Sequence, residues 1–265
     1  MNAAGMDAFL TFEIEDGVAL VGLNRPDKRN AISDAFVEAI AAAAERAGRE
    51  ARAAVLYGHG PHFCAGLDLA EHARKSLVDS VAGSQAWHAA FAKIEHGRIP
   101  WVSALHGAVV GGGLELAAST HVRVAAADAF FGLPEGQRGI YVGGGGSVRI
   151  ARLIGAARMA DMMLTGRVAS AEEAERWNLA QYVVAQGEAF AKAKELAKRA
   201  AQNAPFTNYA VVNALSRIQN MAGPDGLYLE SFVSAVASHT PEAAAGLAAF
   251  LEKRAGKVGP VGGAN

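Results

Sequence analysis

The chain has 265 residues, 51% of them apolar and 19% charged, with a formal net charge of −1. That length fits one large domain, or a domain with an appended helical piece, and the apolar share suffices for a full core. The near-neutral charge and the lack of any long basic block argue against a nucleic-acid partner. A single cysteine, Cys64, excludes an intrachain disulfide and reads as a small buried apolar residue in a reducing compartment.

The first residues show no basic region followed by an apolar stretch, so the expected location is cytoplasmic, with no secretory signal. Residues Phe9 to Glu15 and Val18 to Leu23 alternate, and Asp16-Gly17 between them signals a hairpin. Ser33 is placed to cap a helix through about Ala47, with Phe36, Val37, Ile40 and Ala44 on one face and Gly48 as its stop. Ala53 to Tyr57 is a short apolar strand, and a helix is expected from about Ser76 to Glu95. Trp101 to Leu105 and Val122 to Ala126 read as further buried strands, with a short helix from Gly112 to Ser119 between them. The run from about Ile99 to Leu114 is broken by His106 and glycines, so it reads as strand and loop and not as a membrane span. This alternation of strand, glycine loop and helix is the pattern of an α/β fold with a largely parallel sheet. Beyond about Gly145 the pattern turns helical, with one short strand expected at Gln181 to Val184. Helices are expected over Ala189 to Ala201, Phe206 to Met221, Gly226 to Ala237 and Pro241 to Ala255. The glycine-rich end is expected to fray.

Two glutamates carry the chemical signal. Glu115 stands in Val110-Gly111-Gly112-Gly113-Leu114-Glu115-Leu116, and Glu135 in Phe130-Phe131-Gly132-Leu133-Pro134-Glu135-Gly136. Both interrupt apolar surroundings, where an ionised carboxylate is costly unless paired, hydrogen-bonded or used. Converging on one pocket, they hold a water molecule and pass its protons about; placed apart, they are surface turns or members of buried ion pairs. Two glycine loops, His62 to Leu69 and Gly107 to Gly113, leave a strand and enter a helix, which exposes N–H groups. Aimed at one carbonyl oxygen, two such groups make an oxyanion hole; otherwise the glycines serve only the turns. Neither loop has the spacing of a dinucleotide-binding loop. The histidines show no metal-ligand pairing beside carboxylates, so no metal is expected.

Taken together, these loops resemble those of the crotonase family, also called the enoyl-CoA hydratase and isomerase family. Leu23 to Ala31 is similar to its first signature, and Phe63 to Leu69 and Gly107 to Leu116 to its two oxyanion loops. Phe131 to Glu135, Gly139 and the run from Gly143 to Arg149 resemble the segment that carries its second acid. Ser170 to Leu179 and Phe250 to Arg254 fit its later helices. The likeness covers about Glu13 to Arg254.

The resemblance implies an α/β, crotonase-like spiral of ββα units over residues 1–195. It implies a C-terminal helical region over 196–258 that builds homotrimers, or hexamers of paired trimers, and a frayed tail at 259–265. It also implies a coenzyme A thioester as substrate, with no tightly bound cofactor. The backbone N–H groups of Leu67 and Gly112 are expected to hold the thioester oxygen, with Glu115 and Glu135 as the catalytic acids. Lys28, Arg29, Ala31, Ala65, Leu67, Asp68, Leu69, Gly112 and Pro134 are expected along the coenzyme A path. Lys253, Arg254 or Lys257 is expected to meet its phosphate.

Both glutamates are retained, and their separation (135 − 115 = 20) is that of members that hydrate, so hydration of a trans-2-enoyl-CoA is the expected reaction. The alternatives are shifting a 3-enoyl double bond to the 2-position, or acting on a branched or aromatic acyl-CoA; a non-catalytic acyl-CoA-binding role fits the acid pair poorly. Two departures stand out. His121 replaces the usual aspartate, which predicts a changed local hydrogen bond, and Gly143 to Gly146 lack the usual proline, which predicts a looser acyl-pocket wall. Phe131, Tyr141 and Trp87 are the aromatic candidates for that wall, although the region of Trp87 is a variable helix in the family.

Overall fold

The structure, a computed structural model, describes residues 8–252 and 254. The chain divides by its contacts after Asn203 into two units. The first opens with the expected hairpin: β1 (Leu10–Glu15) pairs antiparallel with β2 (Val18–Leu23), Leu10 opposite Leu23. Parallel to β2 run β3 (Ala53–Gly58), β4 (Trp101–Leu105), β6 (Val122–Ala126) and β9 (Tyr182–Val184), in the order β1-β2-β3-β4-β6-β9. β2 and β4 are buried throughout, as central parallel strands covered on both faces must be.

On one face lies α1 (Asp34–Glu50), whose Phe36, Ile40, Ala43 and Ala47 join one core with Leu56, Leu105 and Val21. Ser33 caps it by accepting the N–H of Phe36. The helix does not stop at Gly48 as expected. A helical glycine costs only about 1 kcal/mol, and the turn it extends keeps Ala43, Ala44 and Ala47 buried. On the other face lies α8 (Ala189–Ala201). Its Ala189, Ala193, Ala197 and Ala201 recur at helical spacing against Val18, Val55, Val102 and Val124.

Sequence patterning missed a second sheet. β5 (Ala108–Val110) runs parallel to β7 (Phe130–Gly132), and β8 (Val168–Ser170) completes it antiparallel. Cys64 joins its edge through a bridge to Val109. Each strand is three residues long, too short to show an alternation. Twice in succession, at β4–β5 and β6–β7, the chain lays one strand in the large sheet and the next in the small one. That is the repeat of the expected spiral. Helices leave the small sheet or its loops: α2 (Leu69–His72), α3 (Leu77–Glu95), α4 (Gly112–Ala117), α5 (Gly146–Ile154), α6 (Ala156–Thr165) and α7 (Ala171–Arg176). Among them α3 starts with a capping box between Ser76 and Asp79.

The second unit is helical. Where one helix was expected over 206–221, α9 (Pro205–Ala210), a π-helical turn (Val211–Leu215) and α10 (Ser216–Ile218) follow one another. Next come α11 (Gly223–Ser238) and α12 (Pro241–Leu251). The expected frayed tail lies outside the described residues, as do Lys253 and Lys257. Among the described residues no helix is long and apolar enough to cross a membrane.

Candidate active site

The segment after β2 acts as a clamp for the loop after β3. Asn30 is fully buried, and its Nδ2 donates to the carbonyls of His59, His62 and Phe63 at 3.0, 2.9 and 3.0 Å. Its Oδ1 accepts the N–H of Arg25 at 2.8 Å. Arg25 in turn pairs with Asp68 at 3.0 Å. The Ile32 N–H donates to the Gly66 carbonyl, and the Asp68 N–H donates to the Ile32 carbonyl. In such a parallel bridge between Ile32 and Leu67, the Leu67 N–H faces away from Ile32. Cys64, buried beneath this loop, donates its thiol to the Asn30 carbonyl at 3.0 Å. Burial pushes that thiol up to about 12, so it is inert packing, as expected.

The second loop leaves β5 through Gly111, whose φ of 53° and ψ of −124° suit glycine alone. A Cβ there would also lie 2.7 Å from Glu135 Oε1. Gly112 is the first residue of α4, so its N–H has no acceptor within the helix. A Cβ on Gly112 would lie 3.5 Å from the Leu67 nitrogen, and one on Gly66 would lie 3.1 Å from the Gly112 nitrogen. The two amides are therefore neighbours.

Glu115 sits on α4 and is only 3% exposed. Its Oε1 accepts N–H groups from Gly144 at 2.8 Å and Gly146 at 2.7 Å, at the N-terminus of α5. Burial raises its pKa, while the Gly146, Gly144 and Gly143 N–H groups and the charge of Arg149 pull against that rise. Glu135 follows β7 and is 6% exposed, with an Oε2 that has no hydrogen-bond partner. Burial, aided by the charge of Glu115, pushes it up to about 7. Of the two acids, Glu115 has the donors to hold a negative charge, and Glu135 is the one suited to keep a proton.

Both acids line one cavity of ≈ 190 Å³ together with Leu67, Gly112, Trp87 and Tyr141. Leu67 also lines a second cavity of ≈ 480 Å³, whose wall includes Lys28, Arg29, Ala31, Ala65, Asp68 and Leu69. Of the residues expected along the coenzyme A path, Pro134 alone lines neither cavity; it is half-buried, one residue before Glu135. Arg254 pairs with Glu252. Of the aromatic candidates, Phe131 is buried in the core, Tyr141 is exposed at the cavity wall, and Trp87 is buried with its ring against Gly112. Trp87 stands on the helix that is variable in the family, and the buried stripe Trp87, Ala90, Phe91, Ile94 on α3 carries its signal in the sequence.

The glycine run from Gly143 to Gly146 is not a loosened wall. It wraps Glu115 so closely that a Cβ at Gly146 would lie 2.9 Å from Oε1. His121 has the changed hydrogen bonds expected: Nδ1 accepts the Trp101 N–H at 3.0 Å, leaving Nε2–H for the Glu95 carbonyl at 3.2 Å. Burial pushes it down to about 4, so the ring is neutral.

Residues 13–258 match the family model for enoyl-CoA hydratase/isomerase. The chain belongs to that family. Enoyl-CoA hydratase EchA19 of Mycobacterium tuberculosis is 32% identical, over 95% of this chain and 96% of its own length. The crystal structure of a Rhodopseudomonas palustris relative matches with a TM-score of 0.90 and 48% identity, over 93% of this chain and 96% of that one. Enoyl-CoA hydratase from Bacillus anthracis matches with a TM-score of 0.87 and 31% identity, over 93% and 97%. The fold is thus the α/β crotonase fold, and the protein is an enzyme of the hydratase/isomerase family, whose members act on coenzyme A thioesters.

Proposed function

We propose that this family member hydrates a trans-2-enoyl-CoA to the 3-hydroxyacyl-CoA by syn addition. The observation that carries the reading is the contrast between two buried carboxyls on one cavity: Glu115 held by N–H donors, Glu135 with a bare oxygen. The thioester oxygen accepts the Leu67 and Gly112 N–H groups, and the enoyl group lies beside both acids. The rest of coenzyme A runs along the wall formed by Lys28, Arg29, Ala31, Ala65, Asp68 and Leu69.

Water held between the acids attacks C3 while ionised Glu115 takes its proton. The C2=C3 electron pair moves onto the thioester as an enolate, whose oxygen the two amides stabilise. Protonated Glu135 then delivers its proton to C2 as the carbonyl re-forms. One water has been added, and a proton exchange between the acids resets them. Isomerisation of a 3-enoyl-CoA needs only one carboxylate as a shuttle, so the retained pair favours hydration.

The test follows loss of the 2-enoyl thioester absorbance with crotonyl-CoA. Wild type consumes it, and Glu115→Gln and Glu135→Gln each lose roughly 10²–10⁴-fold in rate. Near-wild-type rates in both variants defeat the assignment. Turnover of 3-enoyl-CoA without hydration replaces it with isomerase, and turnover of branched or aromatic thioesters alone redirects the substrate class. For the assembly, the exposed Leu227, Tyr228, Phe232 and Val236 of α11 support the proposed trimer or hexamer, which light scattering checks.

A further inference from the structure

The loop that holds Glu115 consists of four consecutive glycines, Gly143 to Gly146, and glycine has no intrinsic stiffness to keep amides aimed at a carboxylate. Something outside the loop must hold it. Arg149, one turn into α5, is nearly buried, with a side chain 10% exposed. It donates Nη1–H to the Gly144 carbonyl at 2.9 Å and Nε–H to Glu95 Oε2 at 2.6 Å. The Gly144 carbonyl lies in the chain between the two amides, of Gly144 and Gly146, that grip Glu115. At Gly145, φ is 100° and a Cβ would fall 2.2 Å from Arg149 Nη1, so the backbone is moulded to the guanidinium.

Glu95 is itself anchored. It ends α3, and its carbonyl accepts Nε2–H from His121, whose Nδ1 accepts the Trp101 N–H at the start of β4. A continuous chain of contacts therefore runs from the large sheet through His121, Glu95, Arg149 and Gly144 to Glu115. We propose that Arg149, braced by Glu95, is the positioning residue that aims the glycine-loop amides at Glu115 and keeps its carboxylate oriented for catalysis. The aim of the loop stands on the geometry alone; its consequence for rate rests on the hydratase reading. His88, His96 and Arg152 share the cavity beside Arg149 and Glu95, and Glu135 faces Glu115 across the site. These are the other titrating or charged groups that the test must hold constant.

The test uses the full chain with ¹³C-labelled glutamate, the Glu115 carboxyl signal being assigned through Glu115→Gln. In Arg149→Met the Glu115 titration midpoint moves upward, because both the charge and the aimed donors are lost. On crotonyl-CoA its kcat falls about 10²-fold, the cost of misplacing a reacting group by about an ångström, while KM stays within about twofold. Arg149→Lys, whose ammonium can reach one acceptor but not bridge two, recovers part of both losses. Should Arg149→Met fail to fold, Arg149→Gln, which also loses the charge and the bridge to Glu95 but keeps a polar side chain at that position, shifts the midpoint in the same direction. An unmoved Glu115 titration in these variants overturns the proposal, as does a loss of kcat that tracks thermal stability and is not relieved by lysine. If wild type hydrates nothing, the hydratase reading fails, and the titration still decides the positioning.

Discussion

Replacing Glu135 by glutamine is predicted to make the protein more stable at alkaline pH while removing its activity. The carboxyl is buried, one of its oxygens has no partner, and its pKa is pushed from 4.5 up to about 7. Folding therefore favours the protonated form. Between those two values the folded state binds more protons than the unfolded one, so stability falls as pH rises through the window and the loss is complete above about 7. The shift corresponds to about 3 kcal/mol of folding free energy, at about 1.36 kcal/mol per pH unit. Glutamine has nearly the same shape and carries no charge to desolvate. At pH 8 the variant is expected to gain up to about 3 kcal/mol over wild type, or roughly 6–12 °C in Tm for a protein of this size. At pH 4.5 most of that gain vanishes, because wild type is then largely protonated at this site. Thermal melts of both proteins across pH 4.5–8 measure the difference. A Tm offset that does not change with pH refutes the argument, since it means Glu135 titrates alike in the folded and unfolded chains.

The same titration sets the pH–rate profile. If protonated Glu135 supplies the proton to C2, kcat/KM for hydration falls tenfold per unit above about 7, and a profile flat to pH 9 removes it from that role. Gly112→Ala pushes a Cβ to within 2.6 Å of the Trp87 ring. It is expected to displace the amide, lower kcat by about 10²-fold or more and shift the tryptophan emission; an unchanged kcat means that this N–H does not hold the thioester oxygen.

What was legible in the sequence is what is written in neighbouring residues. Asp16-Gly17 makes its hairpin and Ser33 caps its helix because both act within a few positions of themselves. The alanine stripe of α8 likewise shows its face through a period of 3.6 residues. The glutamates stood out because a charge in an apolar run must have a reason to be there. The small sheet was not legible: three-residue strands carry no period, and residues 111–129 and 133–167 separate each strand from its partner. Gly48 misled because the penalty of one glycine is small beside a buried stripe of alanines.

The glycine run beside Glu115 shows the deeper limit. As sequence, consecutive glycines mean freedom, since the residue fixes neither φ nor ψ. In the fold they mean access, because a Cβ at Gly144 or Gly146 would crowd the carboxylate whose Oε1 their amides reach at 2.8 and 2.7 Å. Whether such a loop is loose or held depends on what grips its carbonyls, and here the grip is Arg149, braced by a glutamate from another helix. Nothing in the residue types of Glu95 and Arg149 announces that pairing, as both read as ordinary surface charges at helix positions. The acids declare the chemistry locally, but the devices that set their ionisation are assembled from residues distant in the chain. For that reason the pair of glutamates could be found by reading, while the division of labour between them follows from the surroundings that the fold builds.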